Sequence, residues 1–162
     1  MIDATHLKAH RTAASLLKKG DVPRRIGRTK GGLNSKLHTV CDGEGRPIIL
    51  LLSEGQMSDH KGARLVLDAL PPASALIADR GYDSAWFCEE LEAMGIEPRI
   101  PSSKSHKTPF AYDKTLYRQR HKVENLFAKL KDWRRVATRY DRCTHTFFFS
   151  AICIAAVVIF WI

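Results

Sequence analysis

The sequence predicts an α/β fold, and three segments carry that expectation: a pair of strand-like runs around residue 45, a strand-helix-strand unit over residues 73–100, and a long helix from Lys114. Lys36–Cys41 and Pro47–Leu52 are apolar stretches joined by Asp42-Gly43-Glu44-Gly45, a run of turn formers that predicts an antiparallel hairpin. Ser58 or Asp59 then caps a helix reaching about Leu70, with Ala63, Val66, Leu67 and Leu70 on one face and Pro71-Pro72 as its stop. Ala73–Ala78 reads as a short apolar strand that delivers Asp79 at its C-terminal end. A helix from Ser84 to about Met94, ended by Gly95, and a strand around Glu97–Ile100 complete the unit. After a polar, basic loop over Pro101–Pro109, Lys114 to about Arg135 contains neither Gly nor Pro and is expected to be one helix.

At 162 residues and 18.3 kDa, with 44% apolar residues, the chain can bury one core and is too short for two ordinary domains. A single unit over residues 1–162 is expected. The formal charge of +9 points to a polyanionic partner, because Lys and Arg gain affinity by displacing counterions from phosphates. The charge is unevenly placed. Residues 1–36 hold nine Lys and Arg against two acids, residues 37–98 hold four against eleven, and residues 99–142 hold thirteen against four. Two basic arms flanking an acidic middle would suit a groove that accepts a nucleic acid backbone, whereas a generic basic surface is the plainer alternative.

Cys41, Cys88, Cys143 and Cys153 contain no C-x2-C clamp, so a structural zinc site is not expected. No charged N-terminal region leads into an apolar run with a cleavage site, and a cytoplasmic location is expected. The apolar run Phe147–Ile162 would span about 24 Å as a helix, short of the roughly 30 Å hydrocarbon core. A packed core helix or strand is favoured over a tail anchor flanked by Arg139 and Arg142. No Gly-rich nucleotide fingerprint and no serine nucleophile elbow occur, which gives ATP use and acyl transfer no support.

On the long helix, Tyr117, Arg120, Glu124 and Lys131 fall within an arc of about 60° at 100° per residue. Beside them Leu116, Val123, Phe127 and Leu130 form the apolar seam, so Glu124 stands at the edge of the buried face. A salt-bridge ladder of Glu124 with Arg120 and Lys131 explains this stripe equally well. Asp3 follows Met1-Ile2 and Asp79 follows Leu76-Ile77-Ala78, so each could sit at a strand end where a cleft forms. Carboxylates from three elements are the hard-oxygen donors that magnesium requires, and a pair of such ions activates a nucleophile and stabilises the leaving oxygen. Taken singly, Asp3 could cap a helix after it and Asp79-Arg80-Gly81 could be a turn.

The pattern Y-x2-R-x3-E-x6-K formed by Tyr117, Arg120, Glu124 and Lys131 is accompanied by Ile2-Asp3-Ala4-Thr5, Ala78-Asp79-Arg80-Gly81-Tyr82-Asp83 and Trp133-Arg134-Arg135. With these motifs the chain resembles the bacterial insertion-sequence transposases that carry a DDE triad on a ribonuclease-H-like fold. The resemblance covers nearly the whole chain. It implies a ribonuclease-H-like mixed sheet flanked by helices, with Asp3, Asp79 and Glu124 as the triad and ligands of two Mg2+ ions, or Mn2+ in their place. It implies DNA cleavage at transposon ends and strand transfer into target DNA, in a homo-oligomer at the bacterial nucleoid. Arg120, Lys131, Arg134 and Arg135 become DNA-facing residues, Tyr117 either stacks on a DNA base or packs beneath Glu124, and residues 147–162 become a packed C-terminal helix with no membrane contact.

Members of that family carry a further N-terminal region with a DNA-binding part and the start of the first central strand, whereas this chain begins two residues before Asp3. An N-terminally truncated catalytic part with an incomplete first strand is therefore expected, with the upstream transposase part as a partner. The alternative is a non-catalytic DNA-binding or regulatory fragment. Two weaker motifs remain. His6 and His10 stand at i, i+4 and are expected on the surface of a short helix, and Arg28-Thr29-Lys30-Gly31-Gly32 is expected to let Arg28 and Lys30 meet the DNA backbone, although it lacks the spacing of a P-loop.

Overall fold

The computed structural model describes residues 1–15, 24–102 and 114–162. Its sheet is organised around strand β3 (Gly32–Cys41), which is buried from Asn34 onward and pairs with three other strands. Strand β1 (Ile2–Ala9) runs antiparallel along it with Asp3 opposite Thr39 and Thr5 opposite Leu37. Strand β2 (Gly27–Thr29) pairs antiparallel with its beginning, and β4 (Pro47–Glu54) runs antiparallel along the rest. The β3–β4 connection is held by Asp42, whose Oδ1 accepts from the amides of Glu44 and Arg46 at 2.9 and 2.8 Å. Gly45 supplies the left-handed residue of that turn at φ +82°.

Strand β7 (Thr138–Arg139) joins β1 in parallel through Lys8 and Ala9, which makes the sheet mixed. A second, two-stranded parallel sheet is formed by β5 (Ala75–Ile77) and β6 (Glu97–Arg99), connected through helix α3 (Ala85–Ala93). Gly95 at φ +74° ends that helix.

Period-two alternation along β1 and β3 sends side chains into two separate cores. On one side Leu7, Leu37 and Leu52 meet Val123, Leu126, Phe127 and Leu130 of helix α5 (His121–Asp132). On the other, Ile2 and Val40 meet Ala63 and Val66 of helix α2 (Asp59–Val66) and Phe87 and Leu91 of α3. Each large side chain so buried contributes on the order of 1.5–3 kcal/mol. The result is a ribonuclease-H-like α/β architecture, a mixed sheet with helices on both faces.

Several sequence expectations are corrected. Residues 2–9 form a strand, so His6 is a strand residue whose Nε2 lies 2.9 Å from the Gly55 carbonyl, and no helix follows directly on Asp3. Pairing with β3 overrides the helix-like i, i+4 spacing. His10 caps α1 (Arg11–Ala14), a helix of four residues. The Arg28–Gly32 segment spans the end of β2, the Lys30-Gly31 turn and the first residue of β3, Gly32, at φ +99°.

The helix expected over 114–135 is divided into α4 (Lys114–Tyr117), a 3-10 turn (Arg118–Arg120), α5 and α6 (Arg134–Ala137). Backbone angles at Tyr117, Arg120 and His121 stay right-handed helical, so the first junction tightens the helix without turning it, whereas Trp133 at ψ 105° breaks it. The helix capped by Ser58 ends at Val66 and continues as a 3-10 turn (Leu67–Ala69).

The C-terminal run is helical: α7 (Thr144–Phe147), a π-helical stretch (Phe148–Cys153) and α8 (Ile154–Phe160). Phe147, Ala151, Ile152, Ala155 and Ala156 are buried in the core shared with α5. Arg139, considered above as a basic flank of a membrane anchor, is wholly buried. Its guanidinium donates to the carbonyls of Arg24 and Asp141, each at 2.8 Å, and stacks over Phe147. Burial lowers its pKa to about 10. Among the described residues no helix is long and apolar enough to cross a membrane. The polar loop expected over 101–109 lies, from residue 103 on, outside the described residues.

Candidate active site

Asp3 enters the site because β1 pairs with β3 in a register that places it opposite Thr39, at the end of the sheet nearest β5. One carboxylate oxygen accepts from the Ala4 amide at 2.7 Å and the other from Arg120 at 2.8 Å. Asp3 is 15% exposed at its side chain, and its pKa is pushed up to about 6. Burial is the main cause, reinforced by the negative charges of Asp79 and Asp59, and together they outweigh the Ala4 amide and the Arg120 guanidinium.

The second nitrogen of the Arg120 fork pairs with Glu124, one turn further along the helix. Arg120 thus bridges two carboxylates that are 121 residues apart in the chain. Glu124 lies on α5 one turn after Arg120, and its side chain is 54% exposed.

Asp79 lies two residues past the end of β5, and its Oδ1 caps the 3-10 turn Arg80–Tyr82 through the Gly81 amide at 2.7 Å. A β-carbon added to Gly81 would stand 2.8 Å from Asp79 Oδ1 and 3.4 Å from Asp59 Oδ2. The Asp59 and Asp79 carboxylates therefore face one point. Lys36, buried on β3, pairs with the other oxygen of Asp59 at 2.8 Å.

The remaining helix residues turn inward as well. Lys131 donates to Thr5 Oγ1 at 2.6 Å, and burial lowers the pKa of its amine. Lys131 is thus not paired with Glu124 in a ladder. Tyr117 is half-buried and packs against the core of α5. Asp3 and Thr5 share one face of β1, and the 3-10 turn and helix α5 cross that face in succession, with Arg120 of the turn over the first and Lys131 of α5 over the second.

Four other residues stand apart from the acids. Arg28 on β2 and Lys30 on the turn that follows are exposed, and β2 pairs with β3 no closer than Asn34, roughly 17 Å along the strand from Thr39. Arg134 is exposed, and Arg135 is held by Asp141 at 2.6 and 3.1 Å. Both lie on α6, immediately before β7, at the same end of the sheet as the β2–β3 turn.

Among the described residues no three His, Cys, Asp or Glu side chains stand in metal-holding geometry. The donor chemistry nevertheless fits a hard divalent cation, since carboxylates from separate elements surround one region and a guanidinium cation is already seated between two of them. Reading the sequence alone missed three contributors. Asp59 looked like a helix cap, Tyr82 like part of a turn, and Lys36 like a strand residue. What links them, the Lys36–Asp59 pair and the electrostatic coupling of Asp59 and Tyr82 to Asp3, exists only in the folded chain.

A family profile described as the transposase DDE domain matches residues 1–159. A transposase for insertion sequence element IS6501 from Brucella ovis is 32% identical over 131 residues, covering 78% of this chain and 98% of the relative. A transposase for insertion sequence element IS402 from Burkholderia cepacia is 32% identical over 138 residues, covering 74% of this chain and 63% of that longer protein. No solved structure matches.

Proposed function

The chain belongs to the transposase DDE domain family, and from that premise we propose that it cuts DNA at the ends of an insertion sequence and joins them to target DNA, with Asp3, Asp79 and Glu124 holding the divalent metal. The observation that carries this reading is the Arg120 bridge. It brings a carboxylate of β1 to a carboxylate of α5 around a single positive charge, with Asp79 close enough to raise the pKa of Asp3.

A bound pair of Mg2+ or Mn2+ ions would supply an activated water or hydroxyl and stabilise the departing phosphate oxygen. The residues of this chain do the rest. Asp3 is held by the Ala4 amide and Asp79 by the Gly81 amide, so both carboxylates keep their direction without a ligand. Glu124, the most exposed of the three, is free to adjust its side chain as DNA enters. Lys131 and Arg120 place positive charge beside the acids, where a scissile phosphate would lie. On this reading the active assembly is a homo-oligomer on double-stranded DNA, joined by the upstream transposase part.

Cleavage of a duplex carrying the element's ends, with and without Mn2+, tests the proposal. Glu124→Gln should bind this duplex as the wild type does and lose cleavage by at least about a hundredfold. Retained cleavage in Glu124→Gln would overturn the assignment. A second reading, a non-catalytic DNA-binding fragment, draws on the absence of three donors at metal-holding geometry among the described residues. It expects wild-type chain that binds the duplex and never nicks it.

A further inference from the structure

Of the two candidate caps of helix α2, Ser58 takes the role, its Oγ accepting from the Lys61 amide at 3.4 Å. The Asp59 side chain is directed elsewhere, one oxygen to Lys36 and the other toward the point outside Gly81 that Asp79 also faces. A second feature accompanies this arrangement. Tyr82 is fully buried, and its hydroxyl finds no hydrogen-bond partner among the described residues. The hydroxyl lies within the field of Asp59, Asp3 and Asp79 together. A buried phenol left without an acceptor is costly, and one left so beside three carboxylates is placed to donate to something those carboxylates hold.

We propose that Asp59 is a fourth carboxylate of the cation site, facing Asp79 across Gly81, and that the Tyr82 hydroxyl hydrogen-bonds a water carried by the cation there. The inference rests on the reading of Asp3, Asp79 and Glu124 as metal-holding residues. Gly81 is the residue that keeps the position open, since any side chain there would fill the space between the two carboxylates. Lys36 balances the charge of Asp59 from the sheet side, while its Nζ also donates to the Met57 carbonyl at 3.0 Å, which fixes where Asp59 can point.

Mn2+ binding to the full chain without DNA, followed by the paramagnetic resonance of the free ion, tests the inference. Asp59→Asn should weaken Mn2+ about tenfold, and so should Asp79→Asn. Tyr82→Phe, which preserves shape, should weaken Mn2+ severalfold while raising the melting temperature of the metal-free chain, because it removes a buried donor with nothing to bond. Should Asp59→Asn fail to fold, Tyr82→Phe decides alone. Mn2+ affinity that falls in Asp79→Asn and stays at the wild-type level in Asp59→Asn and Tyr82→Phe would overturn this inference and leave the triad standing. A wild-type chain that binds no Mn2+ would remove the triad reading and this inference with it.

Discussion

Asp3, half-buried, and His38, fully buried, are titratable groups on neighbouring strands, and desolvation moves them in opposite senses. The pKa of Asp3 rises to about 6, so between about 4 and about 6 the folded chain binds more protons at this position than the unfolded chain does. Its contribution to stability is present at low pH and is lost as pH rises through that window. The pKa of His38 falls to about 4, chiefly because the ring is desolvated and next because Lys36 is near. Its contribution is present above about 6.5 and is lost as pH falls toward about 4. The two effects offset one another in wild-type chain. Relative to wild type, Asp3→Asn should gain stability as pH rises from about 4 to about 6, and His38→Gln should gain as pH falls from about 6.5 to about 4. Each change should amount to about 1–3 kcal/mol in metal-free urea denaturation. Parallel pH profiles for all three proteins would show that neither group is perturbed by burial.

Among elements, α2 and the C-terminal helices show what packing adds to pattern. A β-carbon on Gly62 would come within 2.1 Å of His38 Nδ1, so this glycine is needed for the approach of α2 to β3 rather than for its backbone angles. Gly62→Ala should cost about 1–3 kcal/mol in urea denaturation despite the better helix propensity of alanine, and a stabilised variant would contradict the packing described here. In the C-terminal run, Ile152 is fully buried in the π-helical stretch. Ile152→Ala should lower stability by about 2–5 kcal/mol, against less than about 0.5 kcal/mol for Val158→Ala on the exposed side of α8. Equal effects of the two substitutions would mean that the run is not packed through this face.

The hairpin of β3 and β4, the capped helix α2 and the unit from β5 to β6 were legible in the sequence because turn formers, caps and hydrophobic period are local. The short strands β2 and β7 were not. Three and two residues long, they exist only through the hydrogen bonds that β3 and β1 offer them. The 3-10 turn at Arg118–Arg120 was hidden for a related reason, since nothing in a run of good helix formers marks a tightened turn.

For the molecule as a whole, charge organises what the fold presents. The basic side chains Arg120 and Lys131 look inward onto β1, whereas Lys30 is exposed roughly 20 Å along the strands from Asp3 and Arg134 is exposed on α6, just before the strand that pairs with Lys8 and Ala9. A duplex running from the acids to that end of the sheet would meet both. Lys30→Ala and Arg134→Ala should each weaken binding to all duplex sequences and lower the slope of log affinity against log salt by about one. Arg135→Ala should change the slope less, because Asp141 already neutralises that guanidinium. Salt slopes that match wild type in both Lys30→Ala and Arg134→Ala would take the DNA path away from this surface.

The sequence by itself determined the α/β class, the basic balance, the elements with strong local signals and the motif spacing on which the resemblance was read. Those properties depend on residue type and on separations of a few positions. Only the tertiary structure decided that Arg120 joins Asp3 to Glu124, that Asp59 turns from a helix start toward Asp79, that Tyr82 buries its hydroxyl among acids, and that Arg139 is a core residue. Each of these depends on the β1–β3 register and on which helix covers which face. Such pairings link residues up to 121 positions apart, and local pattern carries no information about contacts at that range.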